Sequence, residues 1–144
     1  MKKLTPVVIA ILALGSLAGC KPQPHGRPGT AKESGSSWGS AGLAEGVTTE
    51  ALIQSFQNNG FELIEGKTFG QMVEGVRQYP EYAGVVALRD TTFKSASKLI
   101  VGVGPDGVIW FETRDLSGEA AIVEWQAHFR KRVELVEQLA ANPK

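Results

Sequence analysis

The chain has 144 residues, 15 basic against 15 acidic side chains, two histidines and one cysteine. That length suits one domain with a single sizeable core. The balanced charge argues against a dedicated nucleic-acid binder, and one cysteine excludes an intrachain disulfide framework or a cysteine-based zinc site.

Met1-Lys2-Lys3 gives a positive start, and the apolar run Val7–Leu14 leads through small residues to Leu17-Ala18-Gly19-Cys20. From Val7 to Gly19 a helix would span roughly 20 Å, against about 30 Å of hydrocarbon core, so the segment is short for a membrane span. Charged start, apolar middle and small-residue end read as a secretory signal. The ending resembles the lipobox of bacterial lipoproteins at all four positions. That resemblance implies S-diacylglycerol on Cys20, cleavage between Gly19 and Cys20, and acylation of the new amino group, palmitate-type chains included. The alternatives are an ordinary signal with a chance cysteine, or an uncleaved anchor. The position of the chain's one cysteine at the expected cut favours the lipobox. Several acyl chains, at about 0.8 kcal/mol per buried methylene, would hold the product permanently. The resemblance also implies a membrane: Lys21 stands where aspartate favours inner-membrane retention, which points to the outer membrane with the domain in the periplasm.

These features divide the chain into a signal peptide at 1–19, a lipidated cysteine with a tether at 20–46, and a globular domain at 47–144. Thirteen of the 26 residues from Lys21 to Gly46 are Pro, Gly or Ser, with no apolar periodicity, so this stretch is expected to remain a flexible tether. Trp38 is its one Trp, Tyr or Phe residue.

Thr48 or Thr49 is expected to cap a helix carrying Leu52, Ile53 and Phe56, ended by Asn58-Asn59-Gly60. Phe61-Glu62-Leu63-Ile64 alternates as a short strand does. Thr68 with Gln71 forms a capping-box pattern for a second helix burying Met72, Val73 and Val76, closed before Pro80. Ala83–Leu88 is a continuous apolar run, the pattern of a strand covered on both faces. Segments 98–103 and 108–114 flank Gly104-Pro105-Asp106-Gly107, a hairpin signal. A last helix from about Glu119 to Ala140, with Asp115 or Ser117 as cap, carries a stripe of Ile122, Trp125, Phe129, Val133 and Val136. The expected fold is a two-layer α+β domain: a three-stranded antiparallel meander against the long C-terminal helix and two N-terminal helices.

Gly102-x-Gly104-x-x-Gly107 matches a dinucleotide fingerprint in letters only, because a strand rather than a helix follows it and Pro105 has no N–H. His128, with Glu124 and Arg132 one turn away on either side, could transfer protons, and a nearby carboxylate would raise its pKa. A solvated charge ladder is the simpler reading. His25 lies in the tether. Arg130-Lys131-Arg132 could meet lipid phosphates or an acidic partner, against the simpler reading of a solvated face paired with Glu134. No catalytic residue, metal site or cofactor follows from the sequence. Trp110, Phe111 and Trp38 are the candidate binding residues, against the simpler reading in which the second hairpin face is buried under the two N-terminal helices.

These readings favour a lipid-anchored, non-catalytic envelope protein that binds another protein or assists an assembly. One rival is a small periplasmic hydrolase using His128. The other is an exclusion or inhibitor lipoprotein of plasmid or phage type.

Overall fold

The computed structural model describes residues 31–143. The expected signal peptide, Cys20 and His25 lie outside the described residues, as does the first part of the expected tether.

Five strands form one antiparallel sheet: β1 (Lys32–Gly42), β2 (Phe61–Thr68), β3 (Val86–Asp90), β4 (Ser97–Gly104) and β5 (Gly107–Ser117), in the order β1-β5-β4-β3-β2. The helices are α1 (Thr49–Asn58), α2 (Phe69–Met72), α3 (Pro80–Ala83) and α4 (Glu119–Ala141), with a 3-10 turn at Glu74–Gln78. The fold is α+β, but the sheet has five strands where three were expected.

One extra strand, β2, continues the alternation at Phe61–Ile64. The other, β1, comes from the Gly/Ser-rich stretch assigned to the tether. It pairs with β5 in unbroken register from Lys32↔Ser117 to Gly42↔Gly107. Its small residues hide it from periodicity and suit it to its place. At Gly39 a Cβ would lie 2.5 Å from the Trp110 ring, so only glycine lets β1 pass over that indole.

The sheet is covered on both faces, which makes three layers rather than two. On one face α1 and α4 bury Leu52, Phe56, Val136 and Leu139 against Leu88, Leu99, Val101, Val108 and Trp110. On the other, Phe69, Val73, Val76 and Tyr82 of the short helical segment pack on Ala87, Ile100 and Ile109. Alternation along the strands assigns each residue its face.

Local signals behaved unevenly. Thr48 caps α1 through Ala51 N–H, and the Thr68–Gln71 capping box is formed. That second helix nevertheless breaks after Met72, because Val73 is extended, and Pro80 starts a new short helix instead of only ending one. The run Ala83–Leu88 divides accordingly, with Ala83 helical and the strand beginning at Val86. The hairpin turns at Pro105-Asp106, and Gly107 has φ +152, where a Cβ would meet the Ala41 carbonyl oxygen at 2.5 Å. Helix α4 starts at Gly118 with no side-chain cap, since β5 extends to Ser117 and Asp115 accepts a hydrogen bond from Ser34 instead.

Candidate functional site

Two arrangements carry the polar chemistry of the domain. The first lies where α4 crosses the connection between β3 and β4. Glu124, His128 and Arg132 sit one turn apart, about 6 Å per step. Alternate residues of the connection, running the opposite way, meet them rung by rung. Lys94 Nζ donates to Glu124 at 2.8 Å, Thr92 Oγ1 lies 2.8 Å from His128 Nε2, and Arg132 Nε donates to Asp90 at 2.6 Å. The expected ladder within the helix is thus a clasp between the helix and a loop.

The clasp has a defined proton order. Asp90 Oδ1 accepts from both the backbone N–H and the hydroxyl of Thr92, an Asx turn. A carboxylate only accepts, so the Thr92 proton points to Asp90 and its oxygen accepts from His128 Nε2–H. A nucleophile at Thr92 would have to give up the Asp90 bond to pass its proton to His128. Burial is the main effect on His128 and lowers its pKa, aided by Arg132 and Lys131 and opposed by Asp90 and Glu124. This reverses the rise expected from carboxylate proximity alone: desolvation disfavours the imidazolium.

Beside the clasp opens a groove of about 420 Å³, its apolar lining supplied by Phe93, Leu116 and Trp125 with Ala121 and Ala127. Lys94, Glu124, His128 and Lys131 also line it. Lys94 and Glu124 satisfy each other, but Arg130 and Lys131, both exposed, have no ion-pair partner among the described residues. The expected pairing with Glu134 is not made within salt-bridge distance.

The second arrangement is buried between β1, β5 and α4. Arg114 donates to Glu112 at 2.6 Å, to Glu33 at 3.1 Å and to Ser37 at 3.3 Å. Trp125 Nε1 donates to the other Glu112 oxygen at 3.0 Å, and the guanidinium lies 4.6 Å from the Trp125 ring centroid. Glu112 is 0% exposed, and burial drives its pKa up to about 7, against the lowering effects of Arg114 and Trp125. Nearby Glu33 adds to the rise: one cation between two carboxylates leaves a net negative charge unless one takes a proton. The same Trp125 therefore forms a wall of the groove and a lid on the buried ions.

The sequence did not reveal this cluster. Its partners come from positions 33, 37, 114 and 125. The available signal was two charged residues, Glu112 and Arg114, at strand spacing on a face otherwise apolar.

Of the candidate binding residues, Trp110 is 1% exposed under α4, in edge contact with Phe129, so it offers no docking surface. Its indole N–H has no hydrogen-bond partner. Trp38 and Phe111 are register partners on the opposite sheet face, both half-buried. The Trp38 ring packs 5.2 Å from that of Tyr79, and the hollow they share holds only about 40 Å³. Trp110 and Phe111 also line that small hollow, but the indole of Trp110 itself is buried on the α4 face of the sheet.

Among the described residues no group of three or more His, Cys, Asp or Glu is placed to hold a metal ion. No described helix is long and apolar enough to cross a membrane. No protein-family model, no curated protein and no solved structure matches the chain.

Proposed function

We propose that the protein is a bacterial lipoprotein, fastened through lipid on Cys20 to the outer membrane on its periplasmic side, whose α+β domain binds another envelope protein without catalysing a reaction. The observation that carries the anchor is the ordered sequence of positive start, short apolar run and Leu17-Ala18-Gly19-Cys20. Strand β1 starts at Lys32, with eleven residues between it and Cys20. Eleven residues reach at most about 40 Å, so an anchored domain works close to the headgroups. The 32–42 segment, assigned to the sheet, does not lengthen that reach.

Support for a binding role comes from the groove along α4: an apolar lining of aromatic and alanine side chains next to unpaired cations. His128 is occupied in holding the β3–β4 connection, and its partner hydroxyl is turned to Asp90.

The Cys20→Ser variant is expected to lose all labelling by radioactive palmitate and to accumulate uncut precursor; normal processing of this variant would refute the anchor. For the binding role, photoreactive residues placed in intact cells at Lys131, at Val123 and near Trp38 are expected to yield one reproducible protein adduct. Adducts with lipid alone, from every position, would refute it.

A further inference from the structure

We infer that the groove between the β3–β4 connection and α4 receives one or two apolar side chains from an acidic segment of a partner protein, whose carboxylates meet Lys131 and Arg130. The inference rests on the protein-binding reading above and adds the chemistry of the contact.

The argument starts with charge. Within the lining of the groove the one carboxylate, Glu124, is matched by Lys94, and Asp90 beside it is matched by Arg132; Glu134, with no ion-pair partner among the described residues, lies further along α4, outside the lining. Lys131 lines the groove, and Arg130 stands one turn from Ala127 on the same helix; neither has an ion-pair partner among the described residues. The unmatched charge beside the groove is positive, and acidic groups complement it. Such rim charges select a partner and speed its approach.

Shape supplies the second half. Trp125 and Leu116 are fixed from beneath, Trp125 by its hydrogen bond to Glu112 and the stacked Arg114, and both belong to one buried cluster with Ile122. A floor held in this way needs little reordering on binding, and a fixed aromatic is the usual anchor of an interface. The groove is only partly enclosed, and the Lys94–Glu124 ion pair belongs to its lining. That form suits side chains presented by another surface better than an acyl chain, which favours enclosure over most of its area.

The test uses the mature lipidated protein in nanodiscs, carrying a fluorophore, on a synthetic peptide array. The array presents Leu-Phe, Leu-Leu and Phe-Phe pairs flanked by aspartates, by serines or by lysines. Aspartate-flanked pairs are expected to retain the protein at least tenfold better than lysine-flanked ones. Lys131→Glu, a surface change, is expected to reduce that preference to under threefold. Ala121→Trp, which fills the groove, is expected to abolish retention of all pairs. Equal retention across the three flanks overturns the inference, as does a preference that survives Lys131→Glu. Stoichiometric binding of oleate with no peptide retained also overturns it, in favour of a lipid-type ligand. A protein adduct at Val123 or Trp38 but none at Lys131 sinks this inference while leaving the binding role intact.

Discussion

Replacing Arg114 by methionine is expected to lower the unfolding free energy by about 3–5 kcal/mol, read from urea denaturation at pH 7.5. The side chain is 3% exposed and pairs with two carboxylates, Glu33 and Glu112, whose side chains are 8% and 0% exposed. Methionine fills a similar volume and adapts its shape, so packing is largely kept. What is lost is the cation, and both carboxylates remain out of water. Lysine should restore only part of the loss, because a single ammonium cannot span two carboxylates and stack on Trp125 as the planar guanidinium does. The damage should fall first on β1, which Arg114 holds through Glu33 and Ser37. Amide exchange in 32–42 should then accelerate before exchange in β4. Arg89→Met provides the contrast: its pair with Glu62 is half-exposed and contributes about 0–1 kcal/mol. Equal effects for Arg89 and Arg114 would show that the buried cluster does not hold the strand.

Glu112→Gln is expected to remove a pH dependence amounting to about 3 kcal/mol. The folded pKa of Glu112 is raised from 4.5 to about 7. Between those values the folded chain binds more protons at this group than the unfolded chain, so stability falls as pH rises. The contribution is fully present below pH 4.5 and is lost as the pH passes 7. His128 acts in the opposite sense, since its lowered pKa makes low pH costly to the fold. Subtracting the glutamine variant's curve from the natural protein's cancels His128 and leaves Glu112. Glutamine keeps an acceptor for Trp125 and, unlike the carboxylate, adds no charge between pH 4 and 8. The difference curve should therefore slope across pH 4.5–7 and flatten beyond it. A flat difference throughout would place the Glu112 pKa near its ordinary value and remove buried charge as the cause.

Legibility followed the range of each interaction. Thr48, the Thr68–Gln71 box, the 104–107 turn and the stripe of α4 involve neighbours a few residues apart, and each stands where the local pattern put it. The broken second helix shows the limit. Met72, Val73 and Val76 have helical spacing, yet Val73 turns extended and the segment folds over the sheet as short pieces, burying Phe69, Val76 and Tyr82 together. The triplet Glu124-His128-Arg132 was visible as a face of one helix, while its partners at 90, 92 and 94 became partners only when the β3–β4 connection crossed it.

From the order of residues alone come the caps, the hairpin and the amphipathic last helix, because each is set by contacts within one element; the proposed anchor likewise rests on linear sequence alone. Tertiary structure decided the rest: that a Gly/Ser stretch becomes an edge strand, that Trp110 is buried, and that Arg114 lies between two acids. A strand of glycine and serine has no hydrophobic pattern of its own, so β5 and the Trp110 ring beneath Gly39 determine its place. Groups 81 residues apart, such as Glu33 and Arg114, acquire their chemistry only when the closed sheet excludes water from both.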